Sequence, residues 1–392
     1  MNNKKFALII PNNRQLRPEF IKSYYDNFVS HKRDVNNVKL YFIDDYSPYY
    51  IENLNITRSC SLPFEYWHVR SQIDFFKKRF GDCWKKFWSV IPHRTDACRS
   101  FGYLVAALDD VDVIITIDDD NYAINKESVE YDYLDSHDVV NSQILATEVN
   151  SSSKWFNTIS MLKTTPRRKL YARGYPYSKR FEEYKYAYNC FKVVMNIGLW
   201  IGNPDVDSIT VLNEGSLNGL PKTRITGFRT EIKRLILSND TFAPLNTANT
   251  AYSRKLLPII YDTFQGARVS ELKLDRFGDI WCNLFIKKIL DRVNERISIG
   301  IPLVEHRREP RDTFIDFQKE FWGILISEKL FEVVERIDLH SHSYADLYKE
   351  LVENLEKDLL KEINIRALIK YFNKLFSSMR DWLEIIDSLG LS

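Results

Sequence analysis

The apolar positions of the first 45 residues predict two strands separated by one helix. Residues 6–10 form a continuous apolar run and residues 38–43 form an apolar run interrupted only by Lys39, and both predict strands. Between them, residues 18–28 predict a helix, with Pro18 in its first turn. Strand, helix and strand in this order are typical of a βαβ unit, so the sequence predicts an α/β fold with a parallel sheet.

Three consecutive carboxylates follow the next apolar run. Residues 113–117 are all apolar or β-branched, which predicts a strand buried on both faces, and Asp118, Asp119 and Asp120 come directly after it. Unpaired carboxylates cannot lie in a core, so we expect them at the carboxyl end of the strand, where open α/β sheets bind ligands. Clustered carboxylates there suit a hard divalent cation. The alternative is an acidic turn on the surface.

Further segments extend the expected fold. An aromatic stretch over residues 49–88 is expected to be rich in loops. Helices are predicted for residues 96–108, with Thr95 as the N-cap, and for residues 254–263 and 279–293, and strands for residues 193–201 and 297–304.

The last sixty residues show helical spacing without candidate chemistry. Leu347, Leu351, Leu355 and Leu359 recur every four residues, and charged residues occupy the other face. We expect helices that pack on the main domain or on another subunit. The sequence therefore predicts a catalytic domain over residues 1–330, a helical extension over 331–392, and self-association through these helices.

Composition excludes some classes of partner. A chain of 392 residues with a net charge of +2 gives no electrostatic argument for binding nucleic acid or a membrane surface. The first apolar run ends at Pro11, too early for a signal peptide, and no run approaches the length of a membrane helix. Five scattered cysteines without a CxxC pair favour reduced thiols in the cytoplasm and no zinc site.

Several short motifs, taken in order, resemble the reversibly glycosylated polypeptide family, which includes plant UDP-arabinopyranose mutases. The resemblance covers about residues 6–330, and its motifs are residues 95–103 (TDACRSFGY), 116–120 (TIDDD), 156–158 (FNT), 173–180 (RGYPYSKR), 198–200 (GLW), 204–207 (PDVD), 249–252 (NTAY), 276–281 (RFGDIW), 302–306 (PLVEH) and 319–324 (KEFWGI). The family implies a glycosyltransferase A-type fold, a Rossmann-like mixed sheet flanked by helices, together with UDP-sugar binding and dependence on Mn²⁺ or Mg²⁺.

The resemblance assigns expected roles at the metal and the nucleotide. Asp118 and Asp120 are the expected metal pair, with His306 as a third ligand or else a surface histidine, while Asp119 points away or toward the sugar. The expected nucleotide and sugar contacts are Asn12, Asn13, Asp44, Asp45, Arg70, Asp96, Arg99, Asp119 and Trp200. Arg99 would pair with the diphosphate unless it lies on a solvated helix face. Trp200 and Trp281 would stack on the sugar unless they belong to the core.

The expected catalytic chemistry centres on two arginines. The resemblance implies that Arg173 is reversibly glycosylated and that Arg180 is required beside it. A guanidinium is a poor nucleophile, so a carboxylate would have to share its proton, and Asp205, Asp207 and Asp279 are the candidates. Asp279 could instead be a helix cap, and both arginines could be phosphate clamps.

Three departures from the family pattern leave more than one function open. Asn121 replaces a cysteine, Gly278 replaces an aspartate, and Arg307 and Arg308 replace small polar residues. The first hypothesis is a UDP-sugar pyranose/furanose mutase. The second is a glycosyltransferase that passes the sugar to an acceptor, and the third is a non-catalytic subunit that binds nucleotide sugars.

Overall fold

One mixed sheet runs through the protein, which this computed structural model describes over residues 4–181, 183–229, 231–264, 272 and 274–391. The sheet contains 12 strands among the described residues. They are β1 (Phe6–Asn12), β2 (Val38–Asp44), β3 (Phe64–Trp67), β4 (Val113–Ile117), β5 (Asn121–Ala123), β6 (Ser142–Ser151), β7 (Leu162–Thr165), β8 (Tyr184–Gly202), β9 (Arg224–Phe228), β10 (Arg234–Leu237), β11 (Asn249–Ser253) and β12 (Arg296–His306).

Helices cover both faces of this sheet. They are α1 (Pro18–Ser30), α2 (Tyr50–Arg58), α3 (Val69–Phe80), α4 (Trp84–Trp88), α5 (Arg99–Leu108), α6 (Tyr133–His137), α7 (Ser208–Asn213), α8 (Gly278–Arg292), α9 (Thr313–Arg336), α10 (Tyr344–Glu362) and α11 (Arg366–Ser388). Short 3₁₀ turns join several of them, including residues Asp96–Cys98 and Arg254–Ile259.

The N-terminal half of the sheet is parallel. Its strands lie in the order β3, β2, β1, β4, and every neighbouring pair is parallel. Every residue of β1 and β4 is buried, because α5 packs on these strands from one side. Gly102 allows this close approach, since a Cβ at that position would lie 2.4 Å from Ile9 Cγ2. The carboxyl ends of β1, β2 and β4 therefore meet at one edge.

The C-terminal half of the sheet mixes strand directions. β11 pairs antiparallel with β4 on one side and with β8 on the other. β8 has 19 residues; its first half pairs antiparallel with β6 and its second half runs parallel to β12. This pairing brings the ends of β8 and β12, including Trp200 and His306, to the edge where β4 ends.

Most of the predicted elements are confirmed. The α/β fold with a mixed sheet flanked by helices is present, and strands or helices occupy the predicted positions of β1, β2, β4, β8, β12, α1, α5 and α8. The Thr95 hydroxyl caps the 3₁₀ turn before α5 by accepting from the Ala97 amide at 3.5 Å.

Two of the predicted segments are wrong. Residues 49–88 are not a loop, since they contain α2, β3, α3 and α4. Residues 254–263 form only a 3₁₀ turn, which carries Pro258 and ends at Ile259. Proline cannot donate a backbone hydrogen bond, so it disfavours a longer helix at this point.

The C-terminal helices pack on the rest of the chain. Leu347, Leu351, Leu355 and Leu359 are fully buried, and α10 lies against α8, α9 and α11. The leucine stripe is therefore an internal packing face and is not available to a second subunit. The predicted division between residues 330 and 331 lies inside α9. Among the described residues, no helix is both long enough and apolar enough to cross a bilayer.

Candidate functional site

A cavity of about 380 Å³ opens at the carboxyl edge of β1, β2 and β4, where the two halves of the sheet meet. Twelve of the residues singled out from the sequence line it. They are Asn12, Asn13, Asp45, Asp96, Asp118, Asp119, Asp120, Arg173, Trp200, Asp205, Asp279 and His306. Residues far apart in the sequence thus share one polar cavity, as the strand order requires.

The three carboxylates after β4 have different partners. Asp118 accepts a hydrogen bond from Arg99 Nη2 at 2.6 Å. Asp119 pairs with Arg14, whose Nε lies 2.8 Å from Oδ1. Asp120 lies 3.3 Å from Arg14 Nη2 and 3.9 Å from His306 Nε2. Asp118 and Asp120 therefore have separate cationic neighbours, and Arg14 occupies the space between Asp119 and Asp120.

These surroundings separate the pKa values of two of the carboxyls. Burial, helped by the negative charge of Asp120, raises the pKa of Asp118 against the opposing effect of Arg99. Burial also opposes ionisation of Asp120, but His306 and Arg14 outweigh it and hold the pKa of this carboxyl below its usual value. Asp120 is therefore the more available anionic ligand.

His306 is oriented in a way that suits metal binding. Its Nδ1 lies 2.8 Å from the Asn203 carbonyl, so Nδ1–H donates, and Nε2 is the ring nitrogen that faces Asp120, at 3.9 Å. Within the described ranges, no three His, Cys, Asp or Glu side chains converge closely enough to hold a metal ion. Asp118, Asp120 and His306 therefore line the cavity without forming a preformed metal site.

Arg99 lies beneath the cavity and not in it. Its side chain is fully buried, and its nitrogens contact Asp118, Asp96, Asp262 at 3.2 Å and the Thr116 hydroxyl at 2.6 Å. The structure thus differs from both sequence interpretations, diphosphate contact and solvated helix face. Arg99 instead holds Asp118 in place from below.

Arg173 lies at the opposite wall, held by two carboxylates. Its Nε and Nη2 donate to the two oxygens of Asp205 at 2.9 and 3.0 Å, and its Nη1 and Nη2 donate to those of Asp279 at 3.3 and 3.0 Å. Nη1 also donates to the Arg276 carbonyl. All five N–H groups of the guanidinium thus have protein acceptors, which leaves none for a phosphate clamp in this arrangement.

The two carboxylates beside Arg173 differ in proton affinity. Burial disfavours the anion at Asp205, but Arg173 and Arg276 outweigh it and place the pKa of Asp205 well below its usual value. Burial raises the pKa of Asp279, and the charge of Arg173 only partly offsets this. Because the pKa values of these two neighbouring carboxyls are shifted in opposite directions, the groups suit separate roles. Asp205 is a fixed anion, and Asp279 is the group that can carry a proton.

Arg180 and Asp207 form a separate pair. Arg180 Nη2 lies 3.3 Å from Asp207, and its guanidinium stacks 3.6 Å from the centre of the Tyr177 ring. Asp207 also caps α7 by accepting from the Thr210 amide at 2.7 Å. Neither residue lines the cavity, so Asp207 is not brought to Arg173.

Two of the expected nucleotide contacts also lie outside the cavity. Asp44 is fully buried and accepts from the Tyr66 hydroxyl at 2.6 Å. Arg70 is an exposed residue of α3. Asp45 does reach the cavity, where it accepts from the Thr95 amide at 2.7 Å.

The two tryptophans considered as sugar platforms have different environments. Trp200 lines the cavity, and its buried indole Nε1 lacks a hydrogen-bond partner among the described residues. Trp281 is fully buried, donates to Ser327 at 2.9 Å and stacks on Phe372. Trp200 thus lies at the cavity wall, whereas Trp281 belongs to the core.

Sequence reasoning missed most of the cations in the cavity. These residues are Arg14, Arg94, Arg276, Arg308, Arg311 and Lys319. We call Arg276, Arg308, Arg311 and Lys319 the basic wall. The sequence carried a signal for three of these four residues, because Arg276 and Lys319 each begin a quoted family motif and Arg308 departs from the family pattern.

Comparisons with known proteins give relatives of moderate similarity. The chain is 25% identical over 301 residues to "Probable inactive UDP-arabinopyranose mutase 2" of Oryza sativa subsp. japonica, covering 75% of this chain and 76% of that protein. It is 26% identical over 235 residues to "Probable UDP-arabinopyranose mutase 5" of Arabidopsis thaliana, covering 59% of this chain and 60% of that protein.

Among solved structures, S. aureus TarS 1–349 in complex with UDP-GlcNAc matches with a TM-score of 0.33 and 16% identity, covering 98% of this chain and 83% of that chain. This likeness is too weak to bear on the activity.

The sequence model of one family matches most of the chain. The model, described as reversibly glycosylated polypeptide, covers residues 79–390 and so includes the C-terminal helices, which the sequence motifs did not reach. With this match and the mutase relatives in agreement with the motifs, the chain belongs to the reversibly glycosylated polypeptide family.

Proposed function

We propose that the protein is a UDP-sugar enzyme, and specifically a mutase that interconverts the pyranose and furanose rings of a UDP-linked sugar. One observation carries the proposal: a single cavity unites the acid triplet after β4 with Arg173 and its two carboxylates. The first cluster suits the diphosphate with its cation, and the second suits the sugar. The relative named as a probable UDP-arabinopyranose mutase supports this assignment, whereas the relative named as a probable inactive mutase supports the family alone.

For the metal, we propose Mn²⁺ or Mg²⁺ held by Asp118, Asp120 and His306, which would have to draw together around the ion because they do not converge on one point in the structure. The oriented Nε2 of His306 and the low pKa of Asp120 support this choice. A bound divalent cation would neutralise the charge of the departing diphosphate. Arg14 would have to give way to it, and its side chain is 41% exposed, which leaves it room to move.

For the sugar, we propose reversible attachment to Arg173. The bond between the anomeric carbon and the diphosphate oxygen breaks, a bond from that carbon to an Arg173 nitrogen forms, and the displaced guanidinium proton passes to Asp279. Asp279 Oδ2 lies 3.0 Å from Nη2, and its raised pKa suits it to hold that proton. After the ring has opened and reclosed, UDP returns to the anomeric carbon and Asp279 returns the proton.

A second candidate function is a glycosyltransferase that moves the sugar to an acceptor. Arg308 of the basic wall favours it, because this residue departs from the family pattern and lines the same cavity as Arg173. A transferase would release UDP and require an acceptor, whereas a mutase returns a UDP-sugar isomer without one.

We also propose a cellular compartment and an oligomeric state for the protein. Five free cysteines support a reducing compartment such as the cytoplasm. Homo-oligomerisation, which the family resemblance suggested, would have to use surfaces other than the buried leucine stripe of α10. Light scattering of the purified protein would decide it.

The decisive experiment is product analysis with Mn²⁺ and UDP-arabinopyranose, UDP-glucose or UDP-galactose, with the intact protein mass measured in the same tube. We expect a furanose isomer of the UDP-sugar, a sugar adduct on the protein that is absent in Arg173→Ala, and loss of both on chelation of the metal. Release of UDP, or the absence of any product together with an unmodified protein mass, would refute the mutase proposal. Lys179→Ala, an exchange in the same motif, serves as the matched control.

A further inference from the structure

Three residues of the basic wall, Arg308, Arg311 and Lys319, take no part in the proposed sugar chemistry. Arg308 and Arg311 lie in the turn between β12 and α9, and Lys319 lies on α9. This turn is tied to the acid triplet, since the Arg307 amide donates to the Asp120 carbonyl at 2.8 Å. The wall therefore faces the cavity directly beside the expected position of the diphosphate.

Two guanidiniums of the wall, those of Arg308 and Arg311, share a single carboxylate. Arg308 Nη2 and Arg311 Nε both donate to the same oxygen of Asp316, each at 2.7 Å. One carboxylate thus serves two cations in a partly desolvated site, where each charge would ordinarily need its own partner. The surplus positive charge faces the cavity that both side chains line.

An unpaired donor adds an independent sign of a missing ligand. Arg308 is only 9% exposed, yet its Nε has no hydrogen-bond partner in the part of the chain that the structure describes. A buried donor left unsatisfied costs free energy, and one on a cavity wall gains most from a ligand acceptor. Lys319 completes the wall, since its ammonium lies 3.8 Å from Asp275, beyond hydrogen-bond distance.

We propose that Arg308, Arg311 and Lys319 form an oxyanion subsite that takes a phosphate group in the cavity. The donor set suits the chemistry, because a phosphate can accept from the planar guanidinium and from the ammonium together. The phosphate belongs either to the diphosphate of the UDP-sugar or to an anionic second substrate. Both of these phosphate sources assume the proposed function. The subsite itself is argued from the contacts of Arg308, Arg311 and Lys319 and does not assume it.

Calorimetric titration with pyrophosphate tests the subsite, in EDTA and at constant ionic strength so that no metal contributes. We expect the wild-type protein to bind pyrophosphate, and Arg308→Gln and Lys319→Gln each to weaken binding by about tenfold, the effect of one charge-assisted hydrogen bond. The Lys319 side chain is 43% exposed, so its replacement leaves folding intact. In Arg308→Gln, Arg311 still pairs with Asp316.

Arg307→Gln is the matched control. This neighbouring arginine is 49% exposed at its side chain, pairs with Glu305 at 2.6 Å and does not line the cavity. Its replacement removes the same charge one residue away, so we expect pyrophosphate binding to stay within twofold of the wild type. Equal weakening in Arg307→Gln and Arg308→Gln, or no binding by the wild type at millimolar pyrophosphate, would overturn the proposal.

Titrations with UDP identify the source of the phosphate. If UDP displaces pyrophosphate and Arg308→Gln weakens UDP as well, the subsite holds the donor diphosphate. If pyrophosphate still binds to protein saturated with UDP, the subsite serves an anionic second substrate; both outcomes support an oxyanion subsite. Binding of pyrophosphate that depends on Arg308, with no binding or conversion of any UDP-sugar, would refute the proposed function and leave the subsite standing.

Discussion

At the scale of single residues, the state of Arg173 follows from how it is held. Two carboxylates and one carbonyl accept all of its N–H groups, and burial alone would lower the pKa of Arg173 if Asp205 and Asp279 did not outweigh it. A guanidinium in this setting is fixed in place and remains protonated. Arg173 can therefore act as a nucleophile only if the bound substrate changes the local charge enough for the guanidinium to lose a proton.

Replacement of Arg173 should lower the stability of the protein, because Asp205 and Asp279 both rely on its charge. Arg173→Met leaves Asp205 and Asp279 facing each other in a buried site, so we expect a loss of about 3–5 kcal/mol in the free energy of unfolding, measured in urea. Arg180→Met is the internal control, since Asp207 keeps its contacts with Tyr177 and Thr210. There we expect a loss of about 1 kcal/mol. Equal losses in the two variants would contradict this account.

His137 should make the protein sensitive to acid. It is fully buried, accepts from Asn196 at 2.9 Å and donates to Asn249 at 3.1 Å, and burial lowers the pKa of His137 to about 3. The unfolded chain takes up a proton near pH 6.5, which the folded protein does not bind until about pH 3. Stability should therefore fall as the pH is lowered from 6.5, by up to about 1.4 kcal/mol per pH unit.

Urea unfolding at several pH values measures this slope. In His137→Gln the titrating group is absent, so we expect a less stable protein whose stability falls less steeply between pH 6.5 and 4. A variant with the same slope as the wild type would show that other groups cause the acid sensitivity.

At the scale of elements, the leucine stripe of α10 gives a further prediction. Leu351 is fully buried between α10 and its neighbours. Leu351→Ala should therefore cost about 2–5 kcal/mol of stability through lost contacts and a cavity. Because the stripe is internal, the oligomeric state of the folded protein should not change. Light scattering would refute this if the variant dissociated without loss of stability.

Elements with a strong periodic pattern could be predicted from the sequence, and those fixed by distant contacts could not. The run before Asp118 predicted β4 because all five of its residues are apolar or β-branched. The segment around α3 was missed because that helix buries only Val69, Gln72 and Phe76 and is otherwise made up of charged and half-buried residues, which give no clear helical pattern. Its helical state depends on packing against β3 and α4, which the sequence does not display.

In the candidate site, too, some residues could be predicted from the sequence and others depend on distant contacts. The acid triplet and Arg173 were visible as motifs, but the burial of Arg99 was not. Its acceptors include the Thr247 carbonyl at 2.8 Å, which only the pairing of β11 with β4 brings close. The contacts between Arg173 and Asp279 likewise join residues more than one hundred positions apart.

At the scale of the whole molecule, the C-terminal helices belong to the same folding unit as the site. Trp382 on α11 donates to the Leu257 carbonyl at 3.1 Å, and the Tyr371 hydroxyl donates to the Phe264 carbonyl at 2.7 Å. Trp281 of α8, the helix that also carries Asp279, stacks on Phe372. The helix that presents Asp279 to Arg173 is therefore packed against the C-terminal end of the chain.

A chain that ends at residue 342 should consequently fail to fold. Loss of α10 and α11 would expose fully buried side chains such as Trp281 and Leu257, each worth about 1.5–3 kcal/mol when buried. These two side chains alone account for about 3–6 kcal/mol, a large part of the 5–15 kcal/mol of net stability that is usual for a folded protein. We expect no cooperative thermal transition in circular dichroism, while a chain ending at residue 388 should melt like the full protein. If the shorter chain melted cooperatively and bound UDP, the helices would be an independent appendage and α8 would not need them to hold the site.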